Sequence, residues 1–429
     1  MKYTDPTSKS TYRFHSSLSY ALLLILLFVV IPMHNTLQSQ NTLSRDAFLD
    51  DAREILKTVP LFDGHNDTPW QYGNRADYDF ALLDFADMSD LENPLHTDIK
   101  RMREGMVGAQ WWSIYTSPST PESESVAHAI KLIDFVHRMA EYYPETFEVA
   151  YTTYDVERIF KDGKIASLMG LEGGHAIANS PAILRMFYEL GIRYMTLTHG
   201  RTLDWADSAT DEPKHGGLTE LGEQIVREMN RIGMLADLSH VTPDVMRQVA
   251  SISEAPMFFS HSSARGLCDH PRNVPDDVLD LVGDSNGIVM VTFVETFISE
   301  ERRQFYAERA SYQRKVEYLH PGQPDKVSEF MSQWDEANEP PKSTLEQVAD
   351  HIDYIRDRIG VDHIGIGSDY DGIPTLPTGL EDVSTLPHLF AELLARGYSD
   401  EDLRKIAGEN MIRVMRDTEA VSASIQAAR

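Results

Sequence analysis

Eight short apolar runs rich in β-branched residues, separated by stretches of helical period, constrain this chain more than any other feature. The runs are Thr58–Asp63, Val107–Tyr115, Ile165–Leu171, Tyr194–Thr198, Met234–Leu238, Met257–Ser260, Ile288–Val294 and His363–Gly367. Helical spacing of apolar residues marks Ser125–Tyr143, Ala182–Glu189, Leu218–Arg231, Thr242–Ser251 and Leu345–Arg358 between them. Strands alternating with helices make an α/β protein with a parallel sheet, either a closed (β/α)₈ TIM barrel or an open doubly wound sheet. Periodicity alone does not choose between the two. The placement of polar residues does.

Metal-capable or titratable groups gather at the carboxyl ends of the runs. The first leads into Asp63-Gly64-His65-Asn66-Asp67 and the third into Glu172-Gly173-Gly174-His175. The fourth, fifth, sixth and eighth lead to His199, His240, His261 and Asp369. His65 and Asp67 are two residues apart, so both project to the same side of an extended chain. In a (β/α)₈ barrel all these groups would converge on the rim where active sites are built, so the barrel is the expected fold.

Cys268 is the only cysteine, so no thiolate cluster is available and a metal would need imidazole and carboxylate ligands. Three histidines and two carboxylates exceed the needs of one tetrahedral zinc but suit two ions that share a carboxylate. Glu172, flanked by glycines that permit close approach, is the expected bridge. No run ends in a lysine that could serve instead.

The net charge of −28, from 39 basic and 67 acidic residues, disfavours nucleic acid as a partner. A substrate bearing a carboxylate would need a locally basic pocket. Residues 1–16 read as a polar tail, and 17–33 as an apolar membrane segment, a signal-anchor or a signal peptide, with no clean small-x-small cleavage site after it. Basic residues before the segment place the bulk of the chain outside the cytoplasm, membrane-anchored, or secreted or periplasmic if the segment is cleaved. Residues 34–44 form a linker, followed by an amphipathic helix over Arg45–Lys57. The catalytic domain is expected over 45–417, with a loose tail at 418–429. Phe297–Pro341 reads as a helical insertion between strands seven and eight, over part of the barrel mouth or at an oligomer interface. The one glycosylation sequon, at Asn66, falls in the expected site and is not expected to be used.

Several of these motifs, in this order, resemble the membrane (renal) dipeptidase family of binuclear zinc metallopeptidases. They are Phe62-Asp63-Gly64-His65-Asn66-Asp67, Gly170-Leu171-Glu172-Gly173-Gly174-His175, Leu197-Thr198-His199 and Ala236-Asp237-Leu238-Ser239-His240-Val241. Phe259-Ser260-His261-Ser262-Ser263-Ala264, His270-Pro271-Arg272-Asn273 and Gly367-Ser368-Asp369-Tyr370-Asp371-Gly372 continue the likeness, which spans roughly residues 50 to 415. The resemblance implies that His65 and Asp67 bind one Zn²⁺, His240 and His261 a second, and Glu172 both. It further implies that His199 contacts the substrate carbonyl, Arg272 holds the substrate's free carboxylate, and Asp369 shuttles the proton; Asp371 reads as a loop residue. The chain departs from the family at His199-Gly200-Arg201-Thr202, where the family often has His-Asn-x-Asn, so neighbouring substrate contacts do not carry over.

The implied activity is zinc-dependent hydrolysis of dipeptides with a free C-terminal carboxylate by a metal-bridging hydroxide, and the implied assembly a homodimer. One alternative is another binuclear amidohydrolase acting on lactones, cyclic amides or β-lactams. Many of those carry His-x-His and a bridging lysine, where this chain has His-x-Asp and Glu172. A catalytically silent, membrane-tethered binding protein is the other.

Overall fold

The computed structural model describes residues 45–428. The segment 17–33 and the linker 34–44 lie outside them; among the described residues no helix is long and apolar enough to cross a membrane.

Nine parallel strands are present: β1 Leu61–Asn66, β2 Val107–Tyr115, β3 Phe147–Val149, β4 Ile165–Glu172, β5 Ile192–Thr196, β6 Leu235–Asp237, β7 Phe258–Ser262, β8 Ile288–Val291 and β9 Ile364–Ile366. Their order is β2-β1-β9-β8-β7-β6-β5-β4-β3, and a further β2–β4 pairing closes eight of them into a (β/α)₈ TIM barrel. The short strand β3 was not expected. It pairs with Ile165–Ser167 at the start of β4, while β5 pairs with Met169–Glu172 at its end. Thus β4 serves the barrel and carries an extra strand at its base.

Alternation along the strands divides the apolar residues between two clusters. Phe62, Trp111, Leu168, Tyr194, Phe258 and Met290 pack in one cluster. Their neighbours Leu61, Trp112, Met169, Met195, Phe259 and Val289 pack in the other, which includes the surrounding helices. That division is the two-residue period of a strand buried on both faces. Each fully buried side chain of this size contributes about 2 kcal/mol.

Helices follow the sequence patterns with shifts of one to three residues at the ends. The helix Glu220–Ile232 buries Ile225, Val226, Met229 and Ile232 along one stripe and stops at Gly233, whose φ of 83° few other residues adopt cheaply. Thr242 caps Pro243–Ile252 by accepting from the Val245 N–H. The N-terminal expectation resolves into a 3₁₀ turn, Arg45–Phe48, and a helix, Leu49–Leu56. The insertion folds as Glu300–Leu319 and Pro324–Ala337, and the stretch leading into it turns through the short helix Glu295–Ile298.

The tail after Asp417 is not loose. Helix Asn410–Ala427 carries through it, and Thr418 and Ser422 are buried. Glu419 accepts from both the backbone N–H and the hydroxyl of Thr153. Met411, Val414 and Met415 of this helix join the cluster containing Trp111 and Tyr194, closing the barrel at the end away from the histidines. Polar composition disguised a helix whose apolar face is used only at its start.

His351, in helix Leu345–Ile359, is fully buried. Its Nδ1 accepts from the Ala264 N–H, in the loop after β7, and its Nε2 donates to the Ile298 carbonyl. That geometry requires the neutral ring, and burial lowers its pKa to about 4 against the opposing Ile298 bond. The unfolded chain then binds a proton that the native chain does not. The resulting stability, about 3 kcal/mol, is present above pH 6.5 and is lost as the pH falls toward 4. Urea unfolding at pH 7 and pH 5 should therefore show a smaller pH-dependent loss in His351→Asn than in the parent, by about 2 kcal/mol; equal losses would refute the assignment.

Candidate metal centre

The expected site residues come together at the carboxyl end of the barrel. His65 lies within β1 rather than beyond it, because the strand runs three residues further than its apolar run. Asp67 occupies the N-cap position of helix Thr68–Ala76. Glu172 is the last residue of β4, and His261 lies inside β7. His240 and Asp369 follow β6 and β9 with φ of 71° and 67°, a left-handed backbone that side-chain-bearing residues rarely adopt. Those turns aim both side chains into the barrel mouth.

Glu172 is the hub. Its Oε2 lies 3.4 Å from His65 Nε2 and accepts from Ser113 Oγ at 3.0 Å. Its Oε1 lies 3.2 Å from His240 Nε2, 3.7 Å from His261 Nε2 and 3.6 Å from His199 Nε2. Asp67 Oδ2 is 3.3 Å from His65 Nε2, on the Oε2 side. The two oxygens thus face two sets of side chains. Within 4.8 Å of one another stand the donors of His65, Glu172 and His261, of Glu172, His199 and His240, and of His65, Asp67 and Asp369.

Outer contacts fix the ring tautomers. Ser260 Oγ donates to Asp237 Oδ2 at 2.6 Å and so accepts from His261 Nδ1 at 2.8 Å, which leaves His261 Nε2 bare. His65 Nδ1 lies 2.9 Å from the Tyr194 hydroxyl, which itself reaches the Gly64 carbonyl. The Tyr194 ring fits only because residue 170 is glycine: a Cβ there would collide with it. His65 Nε2 is buried with no hydrogen-bond partner, and His240 Nε2 and His261 Nε2 face each other at 3.0 Å. Bare, converging imidazole nitrogens around shared carboxylates suit a cation, so the donor set fits a metal.

The electrostatics agree. Burial opposes the Glu172 carboxylate, but His65, His240 and His199 outweigh it and hold its pKa well below the ordinary range. Burial, Arg272 and neighbouring histidines push His240 and His261 well down, so both rings are neutral. Burial also opposes protonation of His65, yet Tyr194, Glu172 and Asp67 raise its pKa well above the usual value. Burial, with Asp67 and Glu172 adding to it, raises Asp369 well above the carboxylate range despite His65 and Arg272.

A cavity of about 240 Å³ opens over this cluster. Arg272 lines it, only 3% exposed. The guanidinium sits 5.3 Å from the Phe297 ring and makes long contacts to Ser262 Oγ and the His261 carbonyl. The acids that follow it in sequence are engaged elsewhere, Asp276 by Arg358 and Asp277 by Arg247. Among the described residues no carboxylate is within ion-pairing distance of Arg272, and burial lowers its pKa to about 10. A buried cation without an anion is costly, and a ligand carboxylate would complete it.

Sequence reading missed Trp70, Tyr115, Val294, Phe297 and Ile373 on the cavity wall. Tyr115 packs on His199 at 4.9 Å and on Trp70 at 5.6 Å. Isolated aromatics look like core residues in a sequence; only their position one turn from a strand end marks them. Asp371, read as a loop residue, accepts from Thr68 Oγ1 and the His96 N–H, tying the β1 and β9 loops together. Asn66 is buried and donates to Thr97, so the sequon is enclosed.

The chain matches the family described as membrane dipeptidase (peptidase family M19) over residues 49–429. It is 42% identical over 372 residues to dipeptidase tcpJ of Claviceps purpurea, covering 84% of this chain and 78% of that protein. Among solved structures it is similar to the probable dipeptidase PvdM of Pseudomonas aeruginosa, with 26% identity, a TM-score of 0.76 and coverage of 88% of this chain and 99% of that one. It is also similar to a metallopeptidase of Rhodobacter sphaeroides liganded with a phosphinate mimic of the dipeptide L-Ala-D-Ala, with 26% identity, a TM-score of 0.68 and coverage of 84% and 99%. The match over nearly the whole barrel, together with a carboxylate-centred histidine cluster at its mouth, places this hydrolase in the membrane dipeptidase family, peptidase family M19.

Proposed function

We propose that the chain hydrolyses dipeptides carrying a free C-terminal carboxylate, using two zinc ions per subunit. The observation that carries this reading is the division of Glu172: one oxygen faces His65 on the Asp67 side, the other faces His240 and His261. In this reading His65 and Asp67 hold one ion, His240 and His261 the other, and Glu172 both. When bound, the ions supply Lewis acidity and a nucleophilic water at neutral pH.

The chain's own residues do the rest. Arg272 grips the substrate carboxylate with its guanidinium and sets the distance to the scissile bond, which selects dipeptides. His199, kept neutral by burial despite Glu172, donates a hydrogen bond to the scissile carbonyl oxygen as negative charge develops there. Asp369, whose pKa burial raises with help from Asp67 and Glu172, would be ionised once bound cations offset those carboxylates, and would then take the proton of the attacking water and pass it to the leaving amine. Tyr115, packed on His199, shields that hydrogen bond from water. The Rhodobacter relative's phosphinate ligand supports a dipeptide-sized substrate. By the same reading the chain works as a homodimer, tethered by residues 17–33 with the barrel outside the cytoplasm, or released if that segment is removed.

Zinc-loaded protein should bind two ions per chain by atomic emission and hydrolyse Ala-Gly; metal-free active protein would end the reading. Arg272→Ala should lower kcat/KM for Ala-Gly roughly 100-fold, about 3 kcal/mol, chiefly through KM. An unchanged KM would show that the arginine is not the clamp.

Gly372 tests the cradle from another side. A Cβ at this position would collide with the carboxylates of both Asp67 and Asp369. Gly372→Ala should therefore cut kcat/KM roughly 100-fold at unchanged melting temperature, because displacing a reacting group by about 1 Å has that cost. Parent-like activity would place Asp67 and Asp369 outside the chemistry.

A further inference from the structure

A second cavity, of about 260 Å³, adjoins the reaction cavity and shares Val294 and Ile373 with it. It is framed by a buried polar network. Arg302 Nη2 donates to Glu295 Oε2 at 2.6 Å, and both residues are more than nine-tenths buried. Ser343 donates to the other Glu295 oxygen at 2.6 Å, Thr375 donates to Oε2, and Arg302 Nη1 donates to the Pro341 carbonyl at 2.6 Å. These contacts join the segment after β8, both ends of the insertion and the loop after β9.

Apart from Arg302 Nε, which has no hydrogen-bond partner among the described residues, the network's polar groups are spent on one another and on the Pro341 carbonyl. The Arg302 charge is neutralised by Glu295, so the cavity is no second anion site. What remains toward the space is Val294, Thr296, Ile373, Pro374 and the Tyr306 ring, over which Arg302 lies at 5.4 Å. Rigid polar framing keeps an apolar hollow open that would otherwise collapse by repacking. Arg272, on the near side, stands against Phe297, only three residues from Val294. A substrate's C-terminal carboxylate and side chain leave the same carbon, so a carboxylate held by Arg272 leaves that side chain within a few bonds of the wall, Val294 and Ile373, that the two cavities share.

We infer that the second cavity is a side-chain subsite that admits bulky apolar or aromatic C-terminal residues of the dipeptide. This rests on the dipeptide reading above. Thr296 lines the second cavity but not the first. In zinc-loaded full-length protein, kcat/KM would be measured for Ala-Phe and for Ala-Gly, and their ratio compared between parent and Thr296→Trp, which fills the hollow. The ratio should fall about tenfold, through KM for Ala-Phe. Tyr306→Ala removes the aromatic wall at an exposed edge, should fold whether or not the tryptophan is tolerated, and should lower the ratio at least threefold. Ratios within twofold of the parent in both variants, with Ala-Gly still cleaved, would overturn the subsite alone. A parent that cleaves neither peptide would overturn the dipeptide reading, and the subsite with it.

Discussion

One carboxylate, held between His65 on one oxygen and three further imidazoles on the other, organises the mouth of this barrel. Glu172 is nearly inaccessible, and an isolated buried carboxylate would take up a proton rather than stay charged. Here His65, whose own pKa is raised, supplies the compensating charge, and Ser113 supplies a hydrogen bond. The strand that delivers it is shaped for close approach. Gly170 clears room for the Tyr194 ring, and Gly173, at a φ of 101°, turns the chain at once into the next element. Tyr194 then steadies His65, so the glycine two residues before the hub acts on a histidine of another strand.

Beneath this cluster lies a layer of buried carboxylates that reinforces sparse strand pairing. β1 and β9 share only the Asp63–Ile366 pair, and β6 and β7 only Asp237–Phe258. At the first seam Asp63 accepts from the Ser368 N–H and hydroxyl. At the second, Asp237 accepts from the Ser260 N–H and hydroxyl, and from Thr196 on the far side. Side-chain oxygens thus add to the few backbone bonds that cross each seam, such as Asp369 N–H to the His65 carbonyl and Leu238 N–H to the Phe258 carbonyl. Ser260 also receives the His261 ring, so the second seam sets which nitrogen of that ring faces Glu172.

Much of this was legible in the sequence. Barrel strands are buried on both faces, so they read as continuous apolar runs, and all eight barrel strands were found that way. Their polar terminations located the site, because polar groups at the ends of such strands have few reasons other than function. What sequence did not reveal follows from physics that is not periodic. β3 is three residues long, too short for any pattern. The last helix looked loose because its second half is polar, although its first half plugs the barrel. Trp70, Tyr115 and Phe297 acquire meaning only from the fold that brings distant segments to one wall. The unpaired state of Arg272 is likewise invisible in a chain with acids four and five residues away.

The left-handed turns at His240 and Asp369 carry a consequence for the evolution of this scaffold. Each holds a side-chain-bearing residue in a conformation that costs on the order of 1 kcal/mol, and glycine would relieve the cost at either position. The barrel therefore subsidises its own mouth, giving up thermodynamic stability to keep two groups pointed inward. Selection for robustness alone would erode these two positions first, and a lineage that drifts from enzyme to inert scaffold should record the change there before the apolar strands alter.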